Sequence, residues 1–551
     1  MYDNIVKEIE KGDYESATEL LMDEINNSPY NDKLAVLAAT INEYFGFYEE
    51  SYEHIIRGLE CNCENYELYL MLGNYYHMQE RYEDSYLCYE QALYYCEDKV
   101  GIESDDYRYI LDCYNTVKTL SKVRPLYIIV YDNNNKKLTE RCVNSIAENC
   151  YAKSYELTIV KGNKEMRNIM NEKKHSYDIM IIDNSAVVLA NTLFCLRFGL
   201  YRNNVGSVGP ITNCQYSTQK IDRKDNIINE CYNFSLHNNI PRIDSYEKKA
   251  TLEGIGLIIK GEVLEKIDGI CLDYHEGNMT EYYDICMQIM KMGYKNILCW
   301  SSYIYCSEEP FLIPNTVENK RQQQYNEEIF LNKWGFHPYY YSVVRKDIIS
   351  LIEKNNINVL EVGCGIGSTL GRIKYLYPDA TVKGIELQKE VAEIGAMNYD
   401  IVCGDIETIM LDYEDNYFDY IIFGDVLEHL RDPWRVLEKV RKYLKKDGRI
   451  LTSIPNILNA EVIYNLLKGY FTYEDSGILD RTHLRFFTKK EIIKMFEQTG
   501  YVIENMPRKI SVVSNTNNYP ELFDKLLSIE GIAGRDEFDT FQYLVKAKRI
   551  I

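Results

Sequence analysis

No Cys-x-x-Cys pair, no run of 18 apolar residues and no N-terminal leader pattern of basic, apolar and small residues occurs in this sequence. The 16 cysteines are scattered, which argues against zinc ribbons and disulfide frameworks and predicts buried or free thiols in a reducing cytosol. The best apolar stretch, residues 186–196, is interrupted by Asn191 and is too short to span a bilayer. We therefore expect a cytoplasmic protein with no transmembrane segment.

Positive charge is also scarce. The 551 residues include 84 Asp and Glu against 62 Lys and Arg, and the net charge is −22 at pH 7. A nucleic-acid or anionic-membrane partner would need clustered Lys and Arg, so we expect no nucleic-acid partner. The length predicts about two to four domains, and an apolar fraction of 46% is enough to build several cores.

Residues 1–120 contain a pattern that recurs at a constant interval. Each copy has an aromatic residue followed three positions later by a small one, at the equally spaced Tyr14, Tyr48 and Tyr82 and at Ala17, Ser51 and Ser85. This pattern resembles tetratricopeptide repeats, which implies an all-α solenoid that docks a protein partner. The alternative is an irregular helical bundle.

A second pattern begins at Arg124, where strand-like runs alternate with helical runs and indicate an α/β fold. An opening strand with an Asn-rich turn, a Gly-rich strand at 205–210 and an acidic segment at 280–284 follow one another. Their order resembles family-two glycosyltransferases of the GT-A type. The resemblance covers residues 124–320 and implies a nucleotide-sugar donor held through Mg or Mn by an Asp-x-Asp motif.

This region departs from the family pattern at both functional positions. The metal motif reads Asp183-Asn184-Ser185, so Asp183 is the one acid left to hold a metal. Tyr282 stands at the position of the catalytic base, and a phenol with a pKa of about 10 is a poor base at neutral pH. The acids close enough in sequence to substitute are Glu276, Glu281 and Asp284. Two hypotheses stay open: retained sugar transfer, or a scaffold or glycan-binding platform.

The last part of the chain contains a Gly-rich turn with an acid at the end of the next apolar run. The apolar run at 358–362 leads into Gly363, Gly365 and Gly367, and the following one ends at Glu386. The interval from Gly367 to Glu386 is typical of α/β domains that bind an adenosine-bearing cofactor. No Lys-Ser or Lys-Thr follows the glycines, so the turn is not a P-loop, and a dinucleotide fingerprint would have a third Gly where Ser368 stands.

With Glu361 ahead of the turn, the pattern resembles the first motif of class I S-adenosylmethionine-dependent methyltransferases, and the resemblance extends over residues 338–551. It implies a Rossmann-like sheet of seven strands, with an amphipathic helix through Lys445 between strands four and five. It assigns the cofactor to Glu361, Gly363, Gly365, Gly367, Glu386, Leu387, Asp405 and Ile406. The glycines would close against the methionine part, Glu386 would accept from both ribose hydroxyls, and Asp405 would accept from the adenine amine.

Methyl transfer from a sulfonium is an in-line displacement, so the enzyme aligns the acceptor and removes its proton. The candidate catalytic residues are Asp425, His429 and His483. Asp425-x-x-Glu428-His429 resembles the ubiquinone O-methylation type, some members of which bind magnesium through such a cluster. That resemblance implies Asp425, Glu428 and His429 as ligands of Mg or Mn. The alternative is a metal-free carboxylate and a histidine that positions the acceptor.

His483 lies in a charged, aromatic segment at 479–488 that resembles one found in methyltransferases of surface-polysaccharide and glycosylation systems. The accompanying glycosyltransferase-like region favours, by association, a sugar hydroxyl on a glycan, lipid-linked saccharide or glycoprotein as acceptor. Just upstream, Tyr470, Phe471 and Tyr473 are predicted to form part of a lid that stacks on sugar faces. The segment at 479–488 is also interpretable as a loop-to-helix staple. Three alternatives to a glycan methyltransferase remain: a bifunctional glycosyltransferase-methyltransferase, a non-enzymatic assembly protein, and a methyltransferase for quinone-like phenols.

Overall fold

The computed structural model describes residues 2–214, 217–221, 223, 228–275, 279–307, 317–511 and 514–550, with the side chains of 317–319 excepted. It divides into two compact units, Met1–Lys333 and Trp334–Ile551. Over the described ranges, no helix is long and apolar enough to cross a membrane. All 16 cysteines are free thiols and most of them are buried.

The first unit begins with seven helices: α1 (Tyr2–Glu10), α2 (Tyr14–Asn27), α3 (Asp32–Tyr44), α4 (Tyr48–Cys61), α5 (Tyr66–Met78), α6 (Tyr82–Lys99) and α7 (Asp105–Lys118). The helices α2, α4 and α6 each start at one of the three equally spaced tyrosines. The small residue three positions later is buried in each copy, because neighbouring helices pack closely there. The period in the sequence is therefore the period of successive helix pairs.

The turn before each of these three helices uses the same backbone conformation. Gly12 has φ +79°, Gly46 has φ +78° and Glu80 has φ +58°. A left-handed residue at this position lets the chain reverse direction between helices, and glycine adopts it without steric cost. The third copy has a glutamate there, so its turn is the most strained of the three.

An α/β region completes the first unit. Its elements are β1 (Leu126–Tyr131), α8 (Lys136–Asn149), β2 (Tyr155–Val160), α9 (Asn163–Lys173), β3 (Asp178–Asp183), β4 (Ala186–Val187), α10 (Thr192–Leu200), β5 (Val205–Thr212), α11 (Ile228–Asn238), β6 (Tyr246–Lys249), β7 (Ile255–Ile259), α12 (Gly261–Leu264), α13 (Thr280–Lys291), β8 (Lys295–Cys306) and α14 (Val317–Trp334). The strand order is β2-β1-β3-β7-β5-β8-β4, with β6 also paired to β8. The strand β7 is antiparallel to both β3 and β5, whereas β1, β2 and β3 are parallel.

The helices and the α/β region share a buried interface within this unit. Arg197 on α10 forms a buried ion pair with Glu90 on α6. Two side chains of α6, Gln91 and Tyr95, donate hydrogen bonds of 2.8 and 2.7 Å to the side-chain oxygen of Asn191. Because these polar groups lie away from water, their pairing fixes the helices on the sheet. The sequence predicts separate domains at 1–120 and 124–320, and these contacts place both in one compact unit.

The second unit contains the second sheet. Its elements are a 3-10 turn (Tyr340–Ser342), α15 (Lys346–Ile349), β9 (Asn358–Val362), α16 (Ser368–Leu376), β10 (Thr381–Glu386), α17 (Lys389–Ala396), β11 (Asp400–Cys403), β12 (Phe418–Gly424), a 3-10 turn (Leu427–His429), α18 (Pro433–Arg441), β13 (Leu444–Pro455), α19 (Ala460–Leu467), α20 (Lys489–Gln498), β14 (Tyr501–Asn505), β15 (Arg508–Ile510), a 3-10 turn (Thr516–Asn518), α21 (Pro520–Leu527), α22 (Arg535–Asp539) and β16 (Thr540–Arg549).

The strand order in this sheet is β11-β10-β9-β12-β13-β16-β14, and the short β15, which the resemblance does not imply, also pairs with β16. The strands from β11 to β13 are parallel and β16 is antiparallel to both of its long neighbours. The order reverses between β9 and β12, so the carboxyl ends of the central strands open into one crevice. The alternating apolar runs of the sequence predict this Rossmann-like fold correctly.

One predicted boundary in this unit is wrong. The amphipathic pattern predicts a helix through Lys445, but α18 ends at Arg441 and Leu444 already belongs to β13. Leu444 pairs with Phe418 on β12 and is fully buried. Strand pairing and burial override the helical periodicity of this segment, which is a tertiary effect that propensity does not contain.

Candidate active site

The glycine-rich turn after β9 is shaped by three left-handed residues. Gly363, Gly365 and Gly367 have φ of +71°, +55° and +83°. A Cβ built on Gly365 would come within 2.6 Å of the main-chain carbonyl oxygen of Tyr341, so no larger residue fits there. The backbone at Tyr341, in the segment that precedes β9, therefore packs directly against the glycine-rich turn. The sequence did not indicate this contact.

Glu386, the last residue of β10, connects this strand to the glycine-rich turn by a hydrogen bond. Its carboxylate is buried and accepts hydrogen bonds from the backbone N–H groups of Gly365 and Gln388, each at 2.9 Å. The bond to Gly365 holds the acid against the turn rather than pointing it away from the crevice. The two residues that sequence spacing pairs are thus in direct contact.

Glu361 lies in the last part of β9, next to the turn. It is buried, and its Oε2 atom has no hydrogen-bond partner among the described residues. Burial raises the pKa of the Glu361 carboxyl to about 8, against smaller opposing effects of Thr369 and Arg345. An unsatisfied buried carboxylate is costly, so this oxygen is suited to a cationic ligand group.

The remaining predicted cofactor residues follow the next two strands. Leu387 comes after Glu386 and its side chain is 69% exposed, which leaves an apolar surface beside the acid. Asp405 follows β11, and its carboxylate accepts a 2.8 Å hydrogen bond from the backbone of Glu407. The next residue, Ile406, is buried. All three lie at the carboxyl ends of adjacent parallel strands.

Asp425 does not belong to the group of ligand atoms that the other two predicted metal ligands form with His483. It follows β12 in a left-handed conformation, with φ +54°, which is a strained state for aspartate. One carboxylate oxygen accepts a 2.6 Å bond from Arg345, and the other accepts from Ser453 at 2.8 Å and from Gln542. The structure therefore gives Asp425 protein partners where the resemblance implies a metal. The sequence analysis did not identify Arg345. The one local pattern that marks it is the acid two positions later, Asp347, to which Arg345 also donates.

Glu428, His429 and His483 form a cluster instead. One carboxylate oxygen and one nitrogen from each imidazole lie within 4.8 Å of one another. The two rings meet edge to face, with centroids 4.7 Å apart. Burial raises the pKa of Glu428 well above its ordinary value and lowers the pKa of His429. The sequence contained all three residues but gave no signal that His483 would join the other two.

Aromatic side chains border this cluster. Phe486 lies 6.4 Å from the ring of His483, and Phe471 lies 5.8 Å from Phe486, measured between centroids. Tyr470 and Tyr473 are 63% and 52% exposed. Of the predicted lid residues, Phe471 is connected to His483 through Phe486, and Tyr473 contacts Phe471.

In the first unit, Asp183 ends β3 as the sequence predicts. Burial raises the pKa of its carboxyl to about 6. Three consecutive side chains each have one buried oxygen with no hydrogen-bond partner among the described residues: Asp183 Oδ2, Asn184 Oδ1 and Ser185 Oγ.

The predicted base positions of the first unit are enclosed. Tyr282 is buried against Gly254, and burial raises the pKa of its phenol well above 10. Glu281 accepts from Asn163, and Asp284 is paired at 2.8 Å with Lys333. The fourth position, Glu276, lies outside the described residues.

Residues 337–505 match a family model described as a methyltransferase domain. This match covers the glycine turn, the acid at the end of β10 and the histidine cluster. The C-terminal unit contains a class I S-adenosylmethionine-dependent methyltransferase domain. The protein is thus an S-adenosylmethionine-dependent methyltransferase, as the sequence predicts. The family model covers less than a third of the chain and does not extend to the first unit.

Relatives and solved structures are similar to part of the methyltransferase. Demethylmenaquinone methyltransferase from Staphylococcus aureus strain Newman is 27% identical over 172 residues, covering 27% of this chain and 69% of the relative. A methyltransferase structure from Aquifex aeolicus is 15% identical and covers 37% of this chain and 88% of its own, with a TM-score of 0.26. A methyltransferase structure from Mesorhizobium loti is 14% identical. It covers 37% of this chain and 96% of its own, with a TM-score of 0.26.

The residues of the turn fit S-adenosylmethionine. The buried oxygen of Glu361 that has no partner among the described residues suits the methionyl ammonium. The left-handed glycines let the turn pack closely against neighbouring protein atoms, such as the carbonyl of Tyr341 and the ring of Tyr399. Glu386 fixes its two carboxylate oxygens at the end of β10 through the backbone of Gly365 and Gln388, and each oxygen can still accept from a ribose hydroxyl. The donor set is therefore that of an adenosine-bearing, cationic cofactor.

The raised pKa of Glu361 predicts that cofactor binding releases a proton. Below pH 8 the carboxyl is protonated in the cofactor-free protein and must ionise to pair with the ammonium. The association constant for S-adenosylmethionine should rise about tenfold between pH 6 and pH 7, since one pKa unit is a factor of ten. Calorimetric titration in buffers of different ionisation enthalpy measures the affinity and the released proton together.

Glu361→Gln is the control for this prediction, because it keeps the shape of the side chain and removes the titration. Its affinity should be lower and independent of pH, and a flat profile for the unmodified protein would contradict the assignment. Without cofactor, the stabilising effect of the raised pKa is fully present below about pH 4.5 and is lost as the pH rises through 8. The melting temperature should therefore fall more over this range than in Glu361→Gln.

Proposed function

We propose that the protein transfers a methyl group from S-adenosylmethionine to a sugar hydroxyl of a glycan or glycoprotein. The observation that carries this proposal is the cluster of Glu428, His429 and His483, which contacts Phe486 and, through it, the exposed ring of Phe471. The cluster follows β12, one strand away from the glycine turn, so acceptor and cofactor would meet in the same crevice.

The chain's own residues have separable tasks in this reaction. When bound, the cofactor supplies a methyl group already activated on a sulfonium sulfur. Glu361 and Glu386 hold the methionyl and ribose ends, which fixes the direction in which the methyl group points. The cluster of Glu428, His429 and His483 activates the acceptor hydroxyl. As the O–CH3 bond forms, the electron pair of the broken S–CH3 bond stays on sulfur as a neutral thioether, and the hydroxyl proton passes by way of the cluster to solvent.

The exposed rings favour a sugar as the acceptor. Tyr470, Phe471 and Tyr473 offer flat apolar faces at the mouth, and such faces stack on the C–H face of a pyranose while hydroxyls stay in water. A phenolic acceptor is the second candidate, favoured by the 27% identity to demethylmenaquinone methyltransferase. The rings would stack on a quinol as well, so the acceptor must be tested directly.

In the experiment, the full-length protein is incubated with methyl-labelled S-adenosylmethionine and one of two acceptor pools. The pools are a saccharide fraction and a quinol fraction prepared from the same cell culture. We expect label in the saccharide fraction, on a product heavier by one methylene in mass spectrometry. Label confined to the quinol fraction would replace the proposal by the phenolic alternative. Glu386→Ala, tested in parallel, controls for labelling that does not depend on the cofactor site.

For the first unit we propose a docking role for residues 1–120 and a GT-A-like fold for residues 124–320. The antiparallel β7 between parallel strands supports the second part. Residues 1–120 include 26 Asp and Glu against 8 Lys and Arg, so a protein partner with a basic surface would be favoured.

A second activity, sugar transfer, is supported by the unpaired oxygens of Asp183, Asn184 and Ser185 at the end of β3. A nucleotide-sugar with Mn²⁺ would satisfy these atoms. Titration of the full chain with UDP-sugars and Mn²⁺ tests this, with Asp183→Asn as control. Binding that Asp183→Asn abolishes would support a bifunctional enzyme, and absence of binding would leave the region as a scaffold.

A further inference from the structure

Glu428, His429 and His483 come together from two segments that are far apart in the sequence, one after β12 and the other ahead of α20. In the part of the chain that the structure describes, no other group of three Asp, Glu, His or Cys side chains brings its ligand atoms within 4.8 Å. From this geometry we propose that the three residues bind one divalent transition-metal ion at the acceptor side of the methyltransferase site.

The surroundings of Glu428 point independently to a cation. The residue is 1% exposed, and neither of its carboxylate oxygens has a hydrogen-bond partner among the described residues. A buried carboxylate without donors is too costly to be maintained alone, and it is normally paired with a positive group or coordinates a metal. No Lys or Arg in the described ranges hydrogen-bonds to this carboxylate, although Arg345 acts on it electrostatically, as do the acids Asp425 and Asp480. The two imidazoles bring their nitrogens within 4.8 Å of it.

Both histidines have the hydrogen bonds expected of metal ligands. Nδ1 of His483 lies 2.9 Å from the carbonyl oxygen of Ile478, and Nδ1 of His429 lies 3.3 Å from that of Thr482. A carbonyl oxygen accepts only, so Nδ1 of His483 carries a proton and its Nε2 keeps the lone pair. Nδ1 of His429 also lies 3.1 Å from the hydroxyl oxygen of Thr482, and this hydroxyl donates its own proton to Asp480, so the same assignment follows for His429. Metal-bound histidines are oriented in this way by the carbonyl groups behind them.

The donor set selects the kind of ion. One carboxylate and two imidazoles suit Zn²⁺, Co²⁺, Mn²⁺ or Fe²⁺, whereas Mg²⁺ prefers six oxygen ligands. Donors about 2.0–2.2 Å from an ion lie about 3–4 Å apart, so the cluster needs only small side-chain rotations to close. Asp425, which the sequence places in a magnesium set, is engaged by Arg345 and Ser453 instead.

The role of the ion rests on the proposed function, because a cation here would lower the pKa of an acceptor hydroxyl. Its binding does not depend on that function and is measured without cofactor or acceptor. The full-length protein, freed of metal with a chelator, is titrated separately with Zn²⁺, Co²⁺, Mn²⁺ and Mg²⁺. We expect one site that binds Zn²⁺ or Co²⁺ at least about 100-fold more tightly than Mg²⁺.

The double variant His429→Ala/His483→Ala should lose one equivalent of Zn²⁺ relative to the unmodified protein. Both proteins retain the exposed thiols of Cys61 and Cys403, so the difference between them removes background binding to cysteine. His175→Ala removes a histidine that is 66% exposed in the first unit and should leave the stoichiometry unchanged. Asp425→Asn should also retain the ion.

Equal Zn²⁺ stoichiometry in the unmodified protein and the double variant would overturn the proposal, and so would Mg²⁺ binding as tight as that of Zn²⁺. Titration of the same samples with S-adenosylmethionine reports folding and separates the two hypotheses. If the protein binds the metal but not the cofactor, only the proposed function is contradicted. If it binds the cofactor but not the metal, only the metal site is contradicted. If the double variant fails to fold, the isosteric Glu428→Gln takes its place with the same expected loss.

Discussion

Replacement of Glu386 by alanine is expected to raise the dissociation constant for S-adenosylmethionine about 100-fold or more. The carboxylate offers its oxygens to two ribose hydroxyls, and hydrogen bonds to a charged group contribute about 1.5–3 kcal/mol each. It also accepts from the backbone of Gly365 at 2.9 Å, so its loss releases the turn against which the cofactor packs. Calorimetric titration of the full-length protein measures this effect.

Two further variants show whether the effect is specific. Glu393→Ala removes a carboxylate that is 63% exposed on α17, a short distance further along the chain, and should bind the cofactor normally. Glu386→Gln keeps the side-chain volume and one acceptor oxygen. Its affinity for S-adenosylmethionine should therefore lie between that of the unmodified protein and that of Glu386→Ala. Unchanged cofactor affinity in a folded Glu386→Ala protein would disprove the assignment of the binding site.

Loss of His483 is expected to reduce kcat about 10²–10⁴-fold, the usual size of an acid-base or acceptor-activating contribution. His483 is buried, and its Nδ1 is held by the carbonyl of Ile478, so the ring has one defined orientation. The dissociation constant for S-adenosylmethionine should change little, because we assign the cofactor to Glu361 and Glu386 and not to the histidines. A steady-state methyl-transfer assay on His483→Ala, with cofactor titration of the same sample, separates the two quantities.

The same prediction extends to the whole cluster. If Glu428, His429 and His483 act as one unit, then the double variant should lose no more activity than either single histidine variant. If the fold-loss of kcat in the double variant equals the product of the two single-variant losses, the two rings act independently. A variant on the same loop, Arg481→Ala, is the control, since Arg481 is 64% exposed and pairs with Asp475 at the surface.

The sequence was most informative where structure is local. Glycines at three positive-φ positions, an acid at the end of the next strand and tyrosines at the start of every second helix are all short-range features. Such features depend on backbone sterics and on the order of strands, both of which a linear pattern contains. The same approach failed at Lys445, because pairing of Leu444 with Phe418 ended the helix early.

The linear pattern determined the methyltransferase domain, the conformation of its glycine-rich turn and the period of the N-terminal helices. Tertiary structure alone decided that Asp425 pairs with Arg345, 80 residues away, and with Gln542, 117 residues away. It likewise decided that His483, rather than Asp425, joins Glu428 and His429. Side chains from distant segments meet only when strands and loops have packed, and their charges then select partners by distance and burial, which no spacing along the chain encodes.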